Sequence, residues 1–241
     1  MQNSKAHSSN NFILGIFICV GLIGLGFVLA NGIIEFKKMD RSVSVKGLAE
    51  KEVPANIAIW PIKFDEVSND INLLYKTIPQ KTKIVIAFLK ENGFTDDEIS
   101  TSIPNIEDRQ VQGYYDVDKI KFRYTSSTIV TVYTEKIKNV LSAMDKIIEL
   151  GKRDVTISGR NYSSRTQFIF SKLNDIKPEM VEEATKKARL VAEKFAKDSD
   201  SQLGKIKTAR QGQFSIYDRD SNTPHIKTVR VVTSLEYYLS D

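Results

Sequence analysis

Few residues of this 241-residue chain have the type and setting needed for chemistry. It holds two histidines, His7 and His225, and one cysteine, Cys19. That excludes a disulfide framework, a cysteine-cluster zinc or iron–sulfur site and an H-E-x-x-H metal helix. Triad chemistry is left with a single candidate base. His225 follows Pro224 in the polar stretch Asp218-Arg219-Asp220-Ser221-Asn222-Thr223 and reads as a surface-loop residue. No G-x-x-x-x-G-K-[ST], G-x-G-x-x-G or G-x-S-x-G motif occurs. The acidic pairs Asp96-Asp97, Glu107-Asp108 and Glu182-Glu183 would run glycoside hydrolysis only if set across a cleft, and read as solvated neighbours. Asp218 and Asp220 lack the spacing of a calcium loop. Lys186-Lys187-Arg189 reads as a solvated helix face, not a nucleic-acid site. Tyr114 and Tyr115, in a turn over 112–116, suit either an ordinary hairpin end or stacking on a partner. No catalytic residue, cofactor or metal is assigned.

The charges are unevenly placed. Of 35 Lys and Arg only Lys5 precedes Glu35, and all 30 Asp and Glu lie from Glu35 onward. Residues 12–34 carry no charge and only one Asn. As a helix they reach about 34 Å, enough for a hydrocarbon core of about 30 Å. With no polar face, this stretch reads as a membrane span and not as a core helix. The chain thus divides into a short tail (1–11), a signal anchor (12–34), a linker (35–41) and a globular domain (42–241) that could subdivide near 135–152. Cleavage after Ala30, in the small-residue setting Val28-Leu29-Ala30, is the alternative to an uncleaved anchor, which the length of the stretch favours. Lys37, Lys38 and Arg41 after the span outnumber Lys5 before it. Taken alone, the positive-inside rule puts the domain in the cytoplasm.

The globular part alternates strands and helices. Strands are expected at 43–47, 55–67 (irregular at Pro61), 98–111, 121–134, 204–217 and 228–239, with an extended segment at 153–170. Apolar spacing of i, i+3, i+4 predicts a helix over 69–92, capped by Ser68 or Asn69, kinked or broken near residue 78 by Pro79, and closed by Asn92-Gly93. A second helix is expected over 136–150 with Gly151 as its stop. A third, over about 176–199, has Pro178 in its first turn. Ala184, Ala188, Ala192 and Ala196 recur every four residues there, a row that lets a helix sit close to a neighbour. Two strand–helix–strand–strand units in mixed or antiparallel sheets follow, an α+β fold.

The same segments resemble the SIMPL-domain family of mostly bacterial extracytoplasmic proteins, which includes periplasmic immunogenic antigens. The resemblance rests on Val43-x-Val45-x-Gly47, on Ala58 in the stretch 55–58, on Gly93 followed by Thr101, on Tyr124-x-Ser126-Ser127-Thr128, and on the alanine row Ala184, Ala188, Ala192 leading to Gly204. The stretch Ala55-Asn56-Ile57-Ala58 departs from the family's Pro-Asp-x-Ala at two positions. The resemblance implies an α+β fold, a swapped or ring-like homo-oligomer in some members, no established catalytic residues and roles tied to envelope integrity and stress tolerance. It also implies entry into the envelope through a signal peptide or anchor. The domain is then extracytoplasmic on the inner or cytoplasmic membrane (periplasmic in a Gram-negative cell), against the positive-inside count. The expectation is a non-enzymatic, membrane-anchored protein that self-associates. A binding module for a small molecule or envelope polymer, using Tyr114, Tyr115, Tyr217, Tyr237 or Tyr238, is the alternative, and a hydrolase a more distant one.

Overall fold

The computed structural model describes residues 5–39, 41–111, 120–158 and 165–240, with 5–14 and 34–39 by backbone alone. Helix α1 (Lys5–Met39) contains the apolar stretch Gly15–Ile33, long and apolar enough to cross a membrane, and none of that stretch is buried. The remaining elements are β1 (Ser42–Pro54), β2 (Ile57–Ser68), α2 (Ile71–Glu91), β3 (Ile99–Thr101), β4 (Asn105–Asp108), β5 (Tyr124–Thr134), α3 (Ile137–Asp145), α4 (Ile148–Lys152), β6 (Gln167–Ile169), α5 (Leu173–Asp198), β7 (Gln202–Gln211), β8 (Ser215–Asp218) and β9 (Ile226–Ser240). Helices and antiparallel sheet make this an α+β protein, as the sequence predicts. Two compact units emerge. A terminal unit holds Met1–Ala49, Pro178–Phe214 and Arg230–Asp241, and a central unit holds Glu50–Lys177 and Ser215–Val229. Residues 135–152 lie wholly within the central unit.

The central unit is built on a sheet of order β3-β5-β2-β6, with β4 also on β5, all antiparallel. Along β2, Ala58, Trp60, Ile62 and Phe64 are buried and the intervening residues are half-exposed. Their cross-strand partners include Val130 and Val132 of β5. Val85, Phe88 and Leu89 of α2 and Val140 and Ala143 of α3 pack on this face and close one core. Asp70, and neither Ser68 nor Asn69, caps α2, its carboxylate accepting from Asn72 N at 2.8 Å. Ser68 instead accepts from Asp70 N. The helix runs unbroken through Pro79. The carbonyl deprived of a donor there is that of Tyr75, a residue 62 % exposed, so water can replace the missing bond. Lys81 is buried on the same helix but reaches Glu66 at 2.5 Å and Asp154 at 3.3 Å, so its charge is compensated where it enters the core.

Three expected elements are divided. The strand predicted over 98–111 is β3 and β4, interrupted at Ser102-Ile103-Pro104, where proline cannot donate to a ladder. The helix predicted over 136–150 is α3 and α4, because the amides of Lys146 and Ile147 turn to the i−3 carbonyls of Ala143 and Met144. The strand predicted over 204–217 is β7 and β8, separated at Gly212, whose amide bonds Val232 O. Pro178 is the sixth residue of α5, beyond the first turn where it was expected, because that helix starts earlier, at Leu173. Of the extended segment 153–170, Ile157 forms a bridge to Phe64 and β6 pairs with β2, so the first strand of the second strand–helix–strand–strand series belongs to the first sheet.

A tight turn just before β3 sets the start of α3. Glu98, ending the 3₁₀ turn Asp96–Glu98, forms a capping box with Thr95 and also accepts from Thr134 Oγ1 at 2.5 Å and Lys136 Nζ at 2.8 Å. Burial disfavours the Glu98 carboxylate, but the hydrogen bonds from Lys136, Thr134 and Thr95 outweigh it and lower its pKa to about 2.

The terminal unit has the sheet order β1-β9-β7. Val45 of β1 packs with Leu235 and Tyr237 of β9 and with Ala188 and Ala192 of α5. The four alanines of the row are at most 3 % exposed. They turn a backbone, and not a layer of side chains, toward the strand. At Gly47 a Cβ would stand 1.9 Å from Ala184 O and 2.6 Å from Ala188 N. Strand and helix are therefore in backbone contact at this point.

Three helices end the same way. After α2, Gly93 adopts φ +89°, with Gly93 N bonding Lys90 O and Phe94 N bonding Leu89 O. After α4, Asp154 (φ 62°) and Val155 bond Gly151 and Leu150. After α5, Asp200 (φ 50°) and Ser201 bond Lys197 and Ala196. Each is a Schellman motif with a left-handed residue one step past the cap. The helix stop expected at Gly151 is thus supplied by Asp154.

Two outcomes follow from these contacts. Gly47→Ala should destabilise the terminal unit by about 3 kcal/mol, measured by urea unfolding, because helix and strand must separate. Adding Ala188→Gly should not restore the loss, since the nearest obstructing atoms are backbone. For Glu98, the folded pKa lies below the unfolded one. Its stabilisation is complete above about pH 5 and disappears as the pH falls toward 2. Glu98→Gln should lower the urea midpoint at pH 7 and flatten its decline across that acid range.

Candidate functional site

The hairpin joining β8 to β9 is organised by one carboxylate. Asp220 accepts from the Thr223 hydroxyl, from Arg219 Nε at 3.0 Å and from the amides of Asn222 and Thr223, each at 2.8 Å. The Thr223 hydroxyl first, then the Arg219 guanidinium and the two amides, hold its pKa well below the usual carboxylate range. Arg219 also reaches Glu52 at 3.5 Å. At the foot of the hairpin, Lys227 is buried and ion-paired with Asp218. The loop tip is exposed as expected, and His225, in the turn before β9, is half-buried. Its carbonyl accepts from Ala55 N at 2.8 Å and its ring meets Phe168 edge-on, centroids 5.9 Å apart. Its Nδ1 is buried without a hydrogen-bond partner. His225 thus lies in the loop as read, but it is half-buried by its ring contact with Phe168. Nothing in the local sequence signals it, because the ring is placed by a strand pairing, β6 on β2, far away in the chain.

Beside His225 lies a recess of about 620 Å³ lined by Pro54, Ala55, Ile137, Leu141 and the first residues of α3. Most of its wall is apolar. Lys136 stands at the start of α3, and its ammonium is occupied by Glu98 at 2.8 Å and Gly93 O at 3.1 Å. Its side chain does not cap the helix. Lys138 and Glu135 bring one charge of each sign to the rim.

The residues singled out in the sequence occupy structural positions in two units. Val43, Val45, Gly47, Ala184, Ala188 and Ala192 meet in the terminal unit. Gly204 lies in β7, where a Cβ would come within 3.0 Å of Tyr238 O. Ala58 is fully buried between Thr134 and Phe168 in the central unit. Gly93 takes the left-handed cap position, and Thr101 is exposed on β3 opposite Val130. Tyr124 opens β5 with Arg123 stacked 4.9 Å from its ring centroid, and Ser127 pairs with Asp65 and Asn105. Ser126 and Thr128, the alternate residues, are buried with unpaired hydroxyls. Tyr114 and Tyr115 lie outside the described residues. Of the other tyrosines, Tyr237 is buried, while Tyr217 and Tyr238 are exposed and belong to different units.

Each acidic pair has at least one member in an ion pair. Asp96 meets Lys90 at 2.7 Å, Asp108 meets Arg123 at 2.8 Å, and Glu182 and Glu183 meet Lys186 and Lys187 at 2.5 and 2.6 Å. The basic run of α5 is thus a solvated, salt-bridged face, completed by Arg189 on Glu193 at 3.0 Å. Just beyond these pairs the same helix exposes Leu190, Val191 and Phe195, at 59, 39 and 56 %.

The strand spacing, the glycine contact and the alanine row fall inside one family match. The SIMPL model, described as a protein of unknown function (DUF541), covers residues 43–234. No curated protein matches the chain. With most of its length inside that match, the chain belongs to the SIMPL family.

Proposed function

We propose that this is a non-enzymatic, membrane-anchored cell-envelope protein whose SIMPL domain self-associates on the extracytoplasmic side, with a role in envelope integrity or stress tolerance. The observation that supports self-association best is the exposed apolar strip Leu190, Val191 and Phe195 on α5. Large apolar side chains grouped on a helix that is otherwise ion-paired mark a contact surface. A second copy is the occupant that fits. An anchor through α1 confines identical chains to one plane in one orientation, raising their effective concentration. Strand β7, at the edge of its sheet, is a poorer candidate. It carries Lys205, Lys207 and Arg210 and two register shifts, features that blunt an edge against strand addition. The engaged carboxylates favour a non-enzymatic reading over hydrolysis, which needs two acids facing a shared cleft.

Sedimentation of the full chain in detergent should show more than one copy per particle. The variant Leu190→Glu with Phe195→Glu should sediment as a monomer with an unchanged melting curve. Replacing Gly15–Ile33 by a polyleucine span should leave association intact. A monomeric wild type, or a double variant that still associates, would overturn the reading.

Orientation has a separate test. A reporter active only outside the cytoplasm, fused after Asp241, should give signal. Signal from a cytoplasm-only reporter instead would establish the opposite topology, the one favoured by Lys37, Lys38 and Arg41. Retention of the span in the mature protein, and not cleavage after Ala30, is part of the same proposal.

A further inference from the structure

We infer that the recess beside His225 is a binding site for a small amphiphilic carboxylate, an aryl or short-chain acid whose apolar body lies in the recess and whose anionic head meets the start of α3. The volume of about 620 Å³ falls within the range of small-molecule sites. Pro54, Ala55, Ile137 and Leu141 supply an apolar floor. Ile137 and Leu141 pack against the central core, so that floor is backed by a rigid layer. The His225 wall is fixed by its carbonyl bond to Ala55 and by Phe168.

The sign of the head group comes from the rim. Helix α3 begins without a side-chain cap, and Lys138 and Asn139, in its first turn, line the recess. First-turn amides and the positive end of the helix dipole favour an anion there. Lys136 is held by Glu98 and Gly93, which leaves Lys138 as the rim ammonium with no carboxylate within ion-pair distance among the described residues. Glu135 opposes an anion from the same rim. A carboxylate carries one charge, which Lys138 and the helix start can meet. A neutral ligand would leave that complementarity unused.

The test is equilibrium dialysis of 2-naphthoate and of uncharged 2-naphthylmethanol against the full chain in phosphatidylcholine nanodiscs, with empty discs subtracted. Naphthoate should bind saturably, one per chain, about tenfold more tightly than the alcohol. Lys138→Glu should weaken naphthoate about five- to tenfold and Glu135→Gln should tighten it, with the alcohol unmoved by either. Leu141→Trp, which fills the recess, should abolish binding of both while the chain keeps its melting temperature. If Leu141→Trp unfolds the chain, Ile137→Phe provides the same occlusion. Naphthoate uptake no greater than in empty discs, or binding that survives an occluded recess, would overturn the site. Equal affinity for acid and alcohol would overturn the anionic ligand class. None of these readings depends on self-association, which sedimentation measures independently.

Discussion

Backbone contact between β1 and α5 is the constraint on which the terminal unit depends. Where Gly47 passes beneath Ala184 and Ala188 there is no room for a single methyl group. The helix residues at that crossing must then be small, as Ala184 and Ala188 are, while one turn earlier in the same buried row there is room for Met180. Close approach substitutes backbone packing for the interleaved side chains of an ordinary helix–sheet contact. At the crossing itself there is no space beneath the helix for a larger side chain. Leu190, Val191 and Phe195 emerge elsewhere on the surface of α5, away from this seam.

The central unit is held together differently. Its sheet face is filled by large side chains, Trp60, Ile62 and Phe64 against Phe88 and Leu89. Two of its charged intrusions are matched, Lys81 by Glu66 and Asp154, and Glu98 by Lys136, Thr134 and Thr95. The Glu98 cluster acts at a distance from the core. By holding Lys136 it fixes where α3 begins, and with it one side of the recess beside His225.

Much of this was readable in the chain. Alternation and helical spacing located the strands and helices, because burial on one face imposes a period that local composition records. The long apolar helix, the alanine row and Gly93 were equally direct. What escaped the sequence was decided by neighbours distant along the chain. Pro104 and Gly212 interrupt ladders whose partners, Ile129 and Val132 among them, could not be named beforehand. The assignment of β6 to β2 depends on pairing across about a hundred residues, and the half-burial of His225 depends on β6. The left-handed Asp154 and Asp200 were hidden for another reason. Glycine announces that conformation, whereas aspartate adopts it without a distinctive signature.

The pairing of β1 with β9 joins the first strand after α1 to a strand separated from it by most of the domain. A chain made from its N-terminus exposes β1 long before β9 exists. Residues 50–177 can assemble much of their own sheet while β1 waits for its partner. Completion of the terminal unit therefore waits until the segment from Arg230 onward has been made. The fold carries its own check on chain integrity, since a product truncated before Arg230 leaves β1 without the strand beside it.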